Sequence, residues 1–305
     1  MKKFSPLVPA VLVGFISSIL WIGSTAQEKT EAQPRKIVFI AGKPSHGTGE
    51  HEHRAGSMLL ADQMEKSGLG FQTTVVTNGW PEDESVFDGA AAVIIYSDGG
   101  GSHPALRYLG KMRELTKAGV GIGCIHYAVE APVGEQGGAD TFLSAIGGFY
   151  EPGWSVNPHW EGSFKMTAHP VASGVKDFKI LDEWYYHLRF REDMEGITPI
   201  LTDLPGADTL SRPDGPHEGN PAVRKAVLED KEPQHVMWVM ESPEPGGGRG
   251  FGFTGGHFHK NWQNDDFRKV VLNAIAWIAN TDVPVEGVPT KTPTDEEMKA
   301  NLDKK

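Results

Sequence analysis

The stretch Gly119-Val-Gly-Ile-Gly-Cys-Ile-His126-Tyr-Ala-Val-Glu130 constrains the fold more than any other. Residues 120 to 125 are apolar or glycine with no alternation, the pattern of a central parallel strand buried on both faces. The run breaks at His126, and Tyr127 to Glu130 can open a helix. A polar side chain on a sharp strand-to-helix turn sits at the carboxyl edge of the sheet, where open α/β sheets place their ligand crevice. A lone histidine at a strand end is often only a satisfied polar residue. Here other strands also end in histidine-bearing turns.

Arg35 to Ala41 reads as the first strand, followed by the loop Gly42 to His53 and a helix over Arg54 to Ser67. Phe71 to Thr77 and Gly89 to Ser97 read as the next strands, and Asp98 to His103 as a loop. A helix over Pro104 to Lys117 starts with proline, as helices often do. This β-α-β-β-α-β order predicts an α/β fold: a doubly wound, mostly parallel sheet with helices on both faces. Further on, a short helix is expected over Asp140 to Phe149, with strands over Gly162 to Ala168, Phe178 to Leu188 and Thr198 to Thr202. Residues 203 to 233 read as a long exposed loop. His235 to Glu241 and Arg249 to Thr254 are the last strands, before a helix over Asp265 to Asn280.

The ends differ from the middle. Met1-Lys2-Lys3, the apolar run Leu7 to Ile22 and the small residues Ser24-Thr25-Ala26 predict a signal peptide over 1–26. The run is short for a membrane span and carries Pro9, so no stable membrane anchor is expected after cleavage. Residues 27–34 then form a linker, 35–281 the α/β domain and 282–305 a solvated C-terminal tail. The protein is expected to be exported, to the periplasm or beyond. A net charge of −11 argues against a nucleic-acid partner. The one cysteine, Cys124, permits no internal disulfide and reads as an inert core thiol.

His46, His126, His257 and His259 all follow core strands, so their loops can converge on one crevice, with Glu50, Glu130 and Asp98 at the same edge. Two chemistries suit such a cluster. The four histidines are candidate ligands for a divalent metal such as zinc. Alternatively His126, His259, Glu50 and Glu130 are candidate catalytic acid–base groups. His46, Trp184, Tyr185 and Trp262 are candidates for holding a substrate, although core packing explains the aromatic residues equally well. His51 and His53 read as solvated, and His159, His169, His217 and His235 as structural or surface. Glu183 and His187 flank an aromatic run whose simpler explanation is packing.

Five segments together resemble the trehalose-utilisation, or ThuA-like, family over roughly residues 35 to 281. They are Ser45-His46-Gly-Thr-Gly-Glu50-His51, Gly121-Ile-Gly-Cys-Ile-His126-Tyr-Ala, His169-Pro170-Val-Ala-Ser-Gly174, Asp182-Glu-Trp-Tyr-Tyr186 and Thr254-Gly-Gly-His257-Phe-His259. The resemblance implies a fold similar to class I glutamine amidotransferases and a small carbohydrate as ligand. Those enzymes keep a nucleophilic cysteine at the elbow and a His-Pro-Glu after the last core strand. Here the elbow residue is His126, and the later motif reads His259-Lys260-Asn261. Cys124 lies two residues earlier, on the strand. Thiolate-based amide hydrolysis is therefore not expected. The expected role is hydrolysis or lyase chemistry on a glycoside or oxidised sugar at a histidine-rich site, with or without a metal. The alternative is a non-catalytic sugar-binding or accessory module on a degenerate amidotransferase scaffold, since fold does not settle function.

Overall fold

The structure, a computed structural model, describes residues 1–5, 33–132, 137–243 and 246–305. Beyond residue 5 the expected signal peptide lies outside the described residues, as does most of the expected linker. The chain divides into Met1–Ala32 and Gln33–Lys305. In the first unit, residues 1–5 are exposed and without regular structure. The second unit runs β1 (Arg35–Ala41), α1 (His53–Lys66), β2 (Phe71–Val76), β3 (Ala90–Tyr96), α2 (Leu109–Lys117), β4 (Gly121–Ile125), α3 (Gly138–Ala145), β5 (Gly148–Phe149), β6 (His159–Phe164) and β7 (Phe178–Glu183). It continues with β8 (Arg189–Phe190), β9 (Ile197–Asp203), α4 (Pro221–Arg224), β10 (Gln234–Glu241), β11 (Arg249–Phe253), α5 (Asp265–Ile278) and α6 (Asp295–Lys299).

Seven strands form one sheet in the order β2-β1-β3-β4-β11-β10-β9. The first five are parallel, and β10 alone runs against its neighbours. This is the doubly wound α/β sheet expected from the unbroken apolar runs. Alternation along β1 sends Ile37 and Phe39 into the core shared with α1 and α5, and Val38 and Ile40 into the core shared with α2 and α3. Cys124 is fully buried in the second core, and burial pushes its thiol pKa up. Among the described residues no helix is long and apolar enough to cross a membrane.

Three local expectations change. The helix expected from Pro104 is a 3-10 turn over Pro104–Arg107, in which the His103 ring accepts from the Ala105 N–H; α2 begins only at Leu109. The strand expected over Phe178 to Leu188 stops at Glu183, after pairing with β6 as an antiparallel ribbon. The loop over 203–233 is ordered in part, with α4 placing Val223 in the core and Leu210 and Val227 buried around it.

The last residues are not a solvated tail. Val288 is fully buried and Met298 nearly so, and α6 starts in a Thr294–Glu297 capping box. The chain then returns to the β1–α1 loop. The Asp303 N–H donates to Glu52 at 2.8 Å, and Arg54 donates to the Leu302 carbonyl at 2.7 Å. The Lys305 ammonium lies 3.3 Å from Glu52 and also donates to the Gly47 and Glu50 carbonyls. Burial works to raise the Glu52 carboxyl pKa, but N–H donors from Asp303 and Gly49, with Lys305, outweigh it and hold the value below the usual range. Proline and charge on the outer side of this strap hide its buried side in the sequence. Deleting residues 282–305 is expected to cost about 3–5 kcal/mol, from the uncovered apolar side chains and the lost partners of Glu52. Urea denaturation measures it; an unchanged midpoint would return these residues to the solvent.

Candidate metal centre

Four loops at the carboxyl edge of the sheet meet the end of the β6–β7 ribbon. The loop after β1 brings His51, the end of β3 brings Asp98, the end of β4 brings His126, and the loop after β11 brings His257. The His51 N–H donates to the His257 carbonyl at 3.0 Å, tying two of these loops together. His46, His51 and His126 all have left-handed backbones, with φ of 58°, 45° and 58°. L-residues disfavour that region, and such strain gathers at functional sites. Alternation at the end of β7 sends Asp182 and Glu183 opposite ways. Asp182 is fully buried and accepts from the N–H groups of Gly256 (2.9 Å), His257 (3.0 Å) and Glu183 (2.8 Å), and from the Asn261 amide (2.9 Å). Glu183 turns to the histidines.

There, three imidazoles and one carboxylate converge. His51 Nε2 is 3.0 Å from His126 Nε2 and 3.0 Å from His257 Nδ1. The Glu183 Oε2 atom is 3.1 Å from His257 Nδ1 and 3.5 Å from His126 Nε2. The far nitrogens fix the tautomers. His51 Nδ1 faces Asp98 Oδ1 at 2.7 Å, and His126 Nδ1 donates to the Thr254 carbonyl at 2.8 Å. With their N–H groups spent outward, the two Nε2 atoms turn lone pairs toward each other, within reach of His257 Nδ1 and the Tyr185 hydroxyl. A cation between them would relieve that repulsion. Tetrahedral coordination with bonds of about 2.0–2.1 Å puts donors about 3.3 Å apart, which the four observed separations bracket. The outward partners form the carboxylate–histidine and carbonyl–histidine pairs that orient metal ligands.

The electrostatics suit a cation at two of the three imidazoles. Burial, then the neighbouring histidines, drives the His51 and His126 pKa values far down, so both rings are neutral and able to ligate. Burial also lowers His53, to about 4, against the pull of Asp98. For His257 burial is outweighed by Glu183, with Asp182 and Glu50, and the value is raised. The Tyr185 hydroxyl lies 3.2 Å from both His126 Nε2 and Glu183 Oε2, and burial followed by Glu183 pushes its pKa up.

Not every candidate residue reaches the centre. His126, His257 and Tyr185 do. His46 is exposed, its ring stacked 3.6 Å from that of His51; with His51 and Asp98 it makes a second, outer group of donors. Glu50 stands at the rim, 3.8 Å from His257 Nε2. His259 does not join the cluster: a 3-10 turn over His259–Gln263 swings its buried ring to the Met298 carbonyl at 3.0 Å. Trp184 and Trp262 are core side chains. Both are fully buried, and each packs edge-on against Phe267. His51 is not solvated but is the hub of the cluster, and Glu183 is not core packing but its carboxylate.

Glu130 takes a different partner. It is buried and sits 2.8 Å from His217 Nε2, which the Tyr127 hydroxyl also approaches at 3.2 Å. The Tyr127 ring lies edge-on to His51, 6.3 Å between centroids, so this pair adjoins the histidine cluster. The hydrogen bond to Glu130 outweighs burial and raises the His217 pKa; Glu183 and Arg212 also act on it, in opposite senses. A raised histidine stabilises fully below its unfolded value of about 6.5, and the contribution is lost as pH rises through the folded value. His217→Gln is thus expected to cost more at about pH 6 than at about pH 9. Urea melts at both pH values read this; equal costs would mean the ring pairs in its neutral form.

The sequence profile of the ThuA family, described as trehalose utilisation, matches residues 38–278. The chain belongs to the ThuA family. None of the curated proteins matches it. Among solved structures, a ThuA-like protein from Bacteroides uniformis aligns at 14% identity over 83% of this chain and 94% of that one, with a TM-score of 0.55. One from Parabacteroides merdae aligns at 16% identity over 86% and 94%, with a TM-score of 0.53. At these identities the ThuA-like structures share the fold, and the histidine cluster of this chain stands on its own geometry.

Proposed function

We propose that this chain is an exported carbohydrate-active enzyme that cleaves a glycoside or oxidised sugar by hydrolysis or elimination. In this reading His51, His126, His257 and Glu183 hold a divalent cation such as zinc. The convergence of three imidazole nitrogens and a carboxylate, with the lone pairs of His51 and His126 turned inward, carries the reading. ThuA membership supports the substrate class, and the basic start, apolar run and small residues before position 27 support export. A cation held there supplies Lewis-acid polarisation of a sugar oxygen and a more acidic bound water. Glu183, with 13% of its side chain exposed, is the donor an incoming oxygen meets. The Tyr185 hydroxyl steadies it. Glu130, held by His217 at 2.8 Å and one tyrosine ring from the cluster, is the candidate acid–base group for substrate lying between them.

The test is a screen of glycosides and keto-glycosides with and without chelator. Turnover is expected to stop on chelation and return with zinc or manganese. Glu130→Gln is expected to slow it by roughly 10²-fold or more. Turnover indifferent to chelation contradicts the metal. One observation favours a second reading, a non-catalytic sugar-binding or accessory module. The four protein donors already fill a tetrahedral shell, as in structural zinc sites. Retained metal and sugar binding without turnover would support it.

A further inference from the structure

Beside the histidine cluster lies a cavity of about 680 Å³, which shares with it the side chains of Ser45 and Asp98. That volume is in the range of small-ligand sites. Four polar side chains on its lining, Lys43, Asn78, Ser102 and Arg107, have no hydrogen-bond or ion-pair partner among the described residues. The one carboxylate on the lining, Asp98, is engaged by His51 at 2.7 Å and by Ser45 Oγ at 3.0 Å. A chain of net charge −11 thus leaves two unpaired cations facing one cavity. An aromatic wall completes it. Trp80 and Tyr108 stack with centroids 5.1 Å apart and planes 5° apart, Phe87 backs Trp80, and Tyr108 is 40% exposed.

We propose that this cavity binds an anionic carbohydrate, a sugar bearing a carboxylate or a phosphate. Tyr108 offers an apolar face to the ring. Asn78 and Ser102 match sugar hydroxyls, and Lys43 and Arg107 match the charge. The Ser45–Asp98 wall then presents the other end of the sugar to the histidine cluster. As the substrate's subsite the cavity rests on the function proposed above; as a binding site it stands without it.

Calorimetric titration of the purified protein with D-glucuronate, glucose 6-phosphate and D-glucose tests this. At least one anion is expected to bind, with glucose about tenfold weaker or more. The tighter anion tells carboxylate from phosphate. Lys43→Gln and Arg107→Gln lie at exposed positions and are each expected to weaken the anion about tenfold, while Tyr108→Ala weakens all three sugars. The anion is expected to bind with and without added zinc, so failure of the metal reading leaves this result standing. Absence of binding by both anions, glucose binding as tightly as either, or indifference to both cation replacements would overturn the proposal.

Discussion

Replacing His51 with alanine is expected to abolish stoichiometric binding of a divalent cation and the stability that binding confers. His51 Nε2 is the one nitrogen within 3.0 Å of both other imidazole donors, so its loss leaves two imidazoles and a carboxylate without their hub. In the wild type, zinc at about 100 times its Kd adds about 2.7 kcal/mol. For a domain of this size that is worth roughly 5–10 °C in Tm. The variant is expected to show no such shift. It keeps a paired carboxylate beneath the gap, because Asp98 retains Ser45 at 3.0 Å and has His53 at 3.7 Å. Thermal melts with and without zinc decide the matter; equal shifts in the two proteins would place the cation elsewhere.

Asp182→Ala is expected to be the most destabilising single change near the centre. The wild-type carboxylate satisfies four N–H donors, on Gly256, His257, Glu183 and Asn261. Truncation strands most of them in a buried place, at a cost of about 3–5 kcal/mol. Tm is expected to fall by roughly 10 °C in metal-free protein. Affinity for the cation is expected to fall about 10–100-fold as well, because the same carboxylate anchors the backbone of two donors, His257 and Glu183. Asp182→Asn keeps one acceptor and is expected to lie between. A loss below about 1 kcal/mol would mean that these donors find other partners.

The sheet was legible because its central strands are unbroken apolar runs, and the His126 elbow because such a run ends there abruptly. His51 was not. Glu50-His51-Glu52-His53 is locally a charged helix entry, and only the tertiary fold shows that His51 has a left-handed backbone and lies beneath His46. Glu183 carried a usable signal. Two adjacent acids at the end of a strand must face opposite ways, so Asp182 and Glu183 cannot both be solvated when the strand edge is covered. His259 misled because it follows the same core strand as His257, two residues further on. Spacing of i, i+2 puts two rings on one face of an extended chain, but the chain turns into a 3-10 helix at His259 and the rings part. The strap after residue 281 was hidden because its few buried residues, such as Val288 and Met298, are scattered among proline and charge.

Elemental analysis of the protein, purified without chelator and without a histidine tag, tests the central claim most directly. One divalent ion per chain, absent from both His51→Ala and His126→Ala, is the predicted result. Protein that arrives free of metal and then fails to load zinc or manganese supplied in excess would contradict it.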